Sequence, residues 1–132
     1  MSTARLALHA ATWLGMAVVL GVLLLTSCTP ECTRQLHGAC WYGEALTPET
    51  EARIAAVLPL LPADPWPCVE TVALGVQHPA CPGAAGCFVP AEHSIYTSQA
   101  ALHHELAHAA LECAGLPLDY AHAAPWWREV DR

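Results

Sequence analysis

Six cysteines, Cys32, Cys40, Cys68, Cys81, Cys87 and Cys113, are spread through residues 32–113 of a 132-residue chain. In a small exported domain an even set of this kind reads as a disulfide framework. Each bridge adds about 2–4 kcal/mol to a core of modest size. The sequence alone does not choose among the pairings. Spacing suggests Cys81 with Cys87, around the turn Pro82-Gly83-Ala84-Ala85-Gly86, and Cys32 with Cys40. Cys68 and Cys113 are then left for each other. The alternative, a cysteine-ligated zinc site, lacks any C-x-x-C pair.

The start of the chain supplies the exported context. Arg5 is its one early charge, and an apolar run, WLGMAVVLGVLLL, follows from Trp13 to Leu25. A membrane-spanning helix needs about 20 apolar residues. This run has the length of a secretory-signal core instead. It ends in Leu25-Thr26-Ser27-Cys28, which resembles the lipobox of bacterial lipoproteins. That resemblance implies cleavage before Cys28 and acylation of Cys28, so that several acyl chains anchor the protein to a membrane. The expected organisation is a signal peptide over 1–27, a lipid anchor and tether over 28–46, and a folded domain over 47–132. The expected location is the bacterial cell envelope, on the inner or outer membrane, facing periplasm or exterior. Without Arg5, four Arg and no Lys stand against twelve acids. Such a surface repels nucleic-acid phosphates and has no polybasic patch for anionic lipid, so the tether must be the acyl chains.

Local signals give an α+β domain with a few short strands and about three helices. Thr47-Pro48-Glu49 starts a helix over 48–58: an N-cap, a proline at the first position and an acid in the first turn. Ile54, Val57, Leu58 and Leu61 mark its apolar face. The segments 68–77, 87–90 and 94–97 read as strands. Ser98 is the expected N-cap of a second helix over 99–114, which Gly115 and Pro117 end. Pro125 opens a third, short helix. Residues 28–46 show no clear period and read as a looped, disulfide-tied segment.

The second helix carries the chemistry. It contains His104-Glu105-Leu106-Ala107-His108. Helical residues four apart lie one above the other, about 6 Å apart along the axis. His104 and His108 therefore aim at one point, where two imidazole nitrogens can bind Zn²⁺ at about 2.0–2.1 Å. Glu105 falls beside that point rather than on it, where a carboxylate can take a proton from water. A catalytic zinc takes a third protein ligand and keeps one position open. Downstream candidates are Glu112, Asp119, His122 and Glu129. Glu112 lies a turn too far along the helix. His122 follows His108 after a glycine stop, at a distance from which a returning loop can reach the metal.

Asp119-Tyr120-Ala121-His122-Ala123-Ala124-Pro125-Trp126, after the helix motif, resembles the SprT-like group of small zincin metalloproteases. The resemblance covers roughly residues 95–130. It implies a minimal zincin-like fold, Zn²⁺ held by His104, His108 and His122, and Glu105 as general base. One extra residue separates His122 from Pro125 relative to the family's His-Gly-Pro, and no zinc ribbon follows. The family's best-known members act inside cells on proteins bound to DNA, which an acidic exported protein would not do. Asp119 is read either as a ligand or as the residue that orients His122. Tyr120 is read either as a donor to a tetrahedral intermediate or as rim packing. Trp126 and Trp127 are read as a cap over the core. His103 points about 100° away from the metal and is taken as a surface or supporting residue. His78 and His93 fall in expected loops. The expected function is a membrane-anchored, extracytoplasmic zinc metallopeptidase acting on an unidentified protein or peptide. The alternatives are a non-catalytic zinc-binding lipoprotein and a metal-free, disulfide-rich interaction module of the envelope.

Overall fold

A computed structural model describes residues 31–132. The expected signal peptide over 1–27, its expected cleavage site and Cys28 lie outside the described residues. Five short strands form one sheet: β1 (Arg34–Leu36), β2 (Ala39–Gly43), β3 (Thr71–Leu74), β4 (Gly86–Val89) and β5 (Ser94–Thr97). Their order across the sheet is β1-β2-β3-β5-β4. The central strands β2, β3 and β5 run parallel, and β1 and β4 are antiparallel edges. Three helices accompany them: α1 (Pro48–Val57), α2 (Leu102–Cys113) and α3 (Trp127–Val130). Among the described residues no helix is long and apolar enough to cross a membrane.

Strand register explains the core. Trp41, Val72, Ile95 and Phe88 are Cα partners across β2, β3, β5 and β4. They project from one face and are all buried. Ile54 of α1 and Leu102, Leu106 and Ala109 of α2 complete that cluster. On its other side α2 buries Ala107 and Leu111 against Val57, Trp127 and Val130. Thus α2 lies between the sheet and the C-terminal helix, and nine of its residues are buried.

The local starts follow the expected chemistry at α1. Thr47 Oγ1 accepts from the Thr50 N–H at 3.2 Å, and Pro48 opens the helix. At α2 the start differs. Ser98 makes no capping bond, and a 3₁₀ turn over Gln99–Ala101 precedes the α-helix. Helix α2 ends as expected, with Gly115 at φ 67° and the Leu116 N–H on the Leu111 carbonyl.

Residues 28–46, expected as a looped tether, differ more. Their described part contains β1 and β2, joined by a two-residue turn in which His37 and Gly38 both have positive φ (55° and 83°). That is the turn geometry that matches strand twist. The strand expected over 68–77 is confined to Thr71–Leu74, because Cys68 belongs to a 3₁₀ turn, Trp66–Cys68.

The disulfides join Cys32 to Cys40, Cys68 to Cys113 and Cys81 to Cys87. The second ties the end of α2 to the turn before β3. Sequence separations are 45 residues for Cys68–Cys113 and 6 for Cys81–Cys87. Loop-closure entropy then gives about 4 kcal/mol for the former and about 2 kcal/mol for the latter. Urea unfolding of Cys68→Ala/Cys113→Ala should therefore show roughly twice the stability loss of Cys81→Ala/Cys87→Ala. Equal losses would contradict this assignment of weight.

Candidate metal centre

His104, His108 and His122 converge: one ligand atom from each lies within 4.8 Å of the other two. Two come from successive turns of α2 and the third from the loop between α2 and α3. The Nε2 atoms of His108 and His122 are 3.3 Å apart. Nitrogens bound tetrahedrally to one zinc at 2.0–2.1 Å stand about 3.3 Å from each other, so this spacing fits a shared ion.

The far sides of two rings are held. His104 Nδ1–H donates to Asp131 Oδ1 at 2.8 Å, and His108 Nδ1–H donates to the Leu118 carbonyl at 2.9 Å. Both partners are acceptors, which assigns the proton to Nδ1 and leaves each Nε2 lone pair toward the common point. Burial pushes the His108 pKa down, and its bond to Leu118 opposes this in part. A neutral imidazole is the form that binds a metal. Beneath the three rings lies the buried indole of Trp127, with centroids 5.0, 4.8 and 4.4 Å from those of His104, His108 and His122.

His122 is held through its loop. Asp119 and His122 both adopt the left-handed region, φ 50° and 51°, which non-glycine residues enter at some cost. Asp119 offsets that cost. Its carboxylate accepts from the N–H groups of Ala123 and Ala124, both at 3.1 Å, and from the Trp127 indole at 2.9 Å. These bonds pull its pKa down, the Ala123 bond most. With both oxygens so engaged, Asp119 supports the loop, and it lies outside the converging group of His104, His108 and His122.

Glu105 is 6% exposed, and its pKa is raised, with burial the largest cause. Nearby His104 and, less, the Phe88 backbone N–H oppose the rise in part. Its seat depends on Gly86 of β4: a Cβ there would stand 2.5 Å from Glu105 Oε1. The carboxylate faces a cleft of about 300 Å³, bounded by the three histidines, Tyr120 and β4. A wider depression of about 460 Å³ lies between the His37–Gly38 turn and Trp66. Among the described residues only the histidine cleft gathers a set of metal ligands.

The other expectations sort as follows. Tyr120 is 70% exposed, at the cleft rim, with its ring 5.5 Å from His108. Trp127 caps the second core cluster as expected and is also the floor of the site. Glu112 is exposed. Glu129 is paired with Arg132 at 2.9 Å and is not among the converging ligands. His78 and His93 lie outside the group and pair with Glu92 and Glu70. His103 corrects the surface reading: it is 7% exposed, its Nδ1 has no hydrogen-bond partner, and burial lowers its pKa. Asp131 and Gly86 were not singled out from sequence. Asp131 lies 27 residues from His104, beyond any local spacing rule.

Comparison of the chain with protein-family models, with curated proteins and with solved structures finds no match.

Removing the partner of a ligand histidine weakens metal binding by about 10–100-fold. Asp131→Ala should therefore lose about tenfold in zinc affinity by chelator competition, with stoichiometry unchanged. Glu129→Ala should bind as the wild type does. Equal affinities for Asp131→Ala and wild type would remove Asp131 from the site.

Proposed function

We propose that the chain is a zinc metallopeptidase of minimal zincin type, exported and anchored to the bacterial envelope through Cys28. One observation carries the catalytic part. Three histidine ligands meet on one side of a cleft, and a buried glutamate on the same helix opens onto that cleft. Three imidazoles suit zinc, and three protein ligands leave one coordination position for water or substrate. A zinc ion bound there supplies Lewis acidity toward a carbonyl oxygen and lowers the pKa of a coordinated water.

The chain's own residues do the rest. Glu105 accepts the proton of the attacking water and passes it to the departing amine. Gly86 and Phe88 hold that carboxylate. Asp131 and Leu118 fix the ring orientations of His104 and His108, and Asp119 fixes the loop of His122. Tyr120, at the rim, is within the region a bound peptide would occupy. The β4 edge offers backbone groups to an extended segment. A metal site of purely structural purpose has four protein ligands and no use for a buried carboxylate beside it, so the hydrolytic reading is preferred to the non-catalytic one.

The decisive variant is Glu105→Gln. It should keep about one zinc per chain and lose about 10²–10⁴-fold in peptide hydrolysis, the usual contribution of a general base. A full rate with zinc bound would refute the mechanism. Localisation rests on the sequence of residues 1–28, and mass spectrometry of the mature protein checks it. An acylated Cys28 at the N-terminus is expected, and an intact Met1 would contradict it.

A further inference from the structure

The Cys81–Cys87 bridge closes the shortest loop of the three, a separation of 6 residues. It therefore constrains the unfolded chain least. Yet both half-buried cysteines line the cleft with His104, Glu105 and His122. Cys87 lies between the two residues that seat Glu105. On one side is Gly86, against which the carboxylate packs, and on the other is Phe88, whose backbone N–H is near enough to favour the charged carboxylate.

The strand that carries them lies at the sheet edge, and of its four residues only Phe88 is buried in the core. β4 has four residues and pairs only with β5. Residues Pro82–Ala85 just before it are exposed. Just before it the Ala85 carbonyl accepts from the Ser98 N–H at 2.9 Å and from the Thr97 hydroxyl at 3.5 Å, and the ladder to β5 follows. Its first half, Gly86 and Cys87, is only part-buried and so opens at lower cost than the core-packed Phe88. The covalent tie to Cys81 is a further constraint at that N-terminal end.

We propose that the Cys81–Cys87 disulfide positions the β4 seat of Glu105 and makes the site sensitive to thiol reductants. Reduction by a dithiol breaks the protein S–S bond. The two reductant hydrogens go to the sulfurs of Cys81 and Cys87, and the dithiol closes to its own disulfide. The ligands His104, His108 and His122 sit on α2 and on the loop before α3, neither of which contains the bridge. Zinc therefore stays bound while the carboxylate loses its fixed place. The effect on rate rests on the hydrolytic reading above; the effect on β4 does not.

The test compares zinc-loaded full-length wild type, Cys81→Ser/Cys87→Ser and the control Cys32→Ser/Cys40→Ser. Amide hydrogen exchange, zinc content and peptide hydrolysis are measured on each. In the Cys81/Cys87 variant the amides of Phe88 and Val89 should exchange on the order of tenfold faster, while those of α2 keep their protection. Zinc content should stay unchanged. The hydrolysis kcat should fall by about 10–100-fold, as expected when a catalytic group is misplaced by an ångström or so. The control should match wild type in all three. Wild-type exchange at β4 would overturn the proposal. So would joint loss of zinc and α2 protection, which would make the bridge a general staple. A response confined to β4, in a protein whose wild type hydrolyses no peptide, would sink the peptidase reading and leave the role of the bridge standing.

Discussion

Burial of α2 on two sides is the constraint from which the rest follows. Leu102, Leu106 and Ala109 press it onto the sheet, and Ala107 and Leu111 press it onto Trp127 and Val130. A helix so held cannot rotate without exposing one of two apolar faces. The strip between those faces carries His104, Glu105 and His108, so their directions are fixed by packing on either side. Disulfide Cys68–Cys113 fixes the far end of the same helix. At about 25 cal/mol per Å² of apolar surface, the burial of such side chains contributes far more than any single polar contact at the site.

The site is assembled from segments distant in sequence, each joined to α2 by a different force. β4 joins through the close approach of Gly86 to Glu105, a steric requirement that only glycine meets. The 119–122 loop joins through an aspartate that accepts three hydrogen bonds and so stabilises two residues of positive φ. The C-terminus joins through Trp127, packed under three imidazoles, and through the Asp131 bond to His104. Each of these contacts orients a polar group of the site.

Much of the helical framework was legible in the sequence, because caps, prolines and 3.6-residue spacing are local. Thr47-Pro48 announced α1, the Gly115 stop ended α2, and Ser94–Thr97 was readable as a strand. The sheet was less legible. In β2 the outward residues are Cys40 and Tyr42, which are not polar enough to show alternation against Ala39 and Trp41. That is why the segment read as a tether. In β3, Val72, Ala73 and Leu74 are all buried, so neither face nor boundary was marked. Parallel pairing and strand order rest on long-range contacts with no local signature. At the site helical spacing paired His104 with His108, and a loop of suitable length together with the resemblance to the SprT-like group pointed to His122. Asp131 did not, because its partner lies 27 residues away. Helical geometry correctly turned His103 away from the histidine group. It did not show that Arg53 of α1 and Asp131 would lie on that side and that the ring would be buried.

The central claim is that three histidines form one metal site, and zinc per chain measures it most directly. The disulfide-bonded protein over residues 29–132 would be compared with its His122→Ala variant by elemental analysis after equilibration with zinc. The account predicts about one zinc per chain in the wild type and a marked loss in the variant. A wild type that binds no zinc would contradict it, and equal zinc in both proteins would remove His122 from the site.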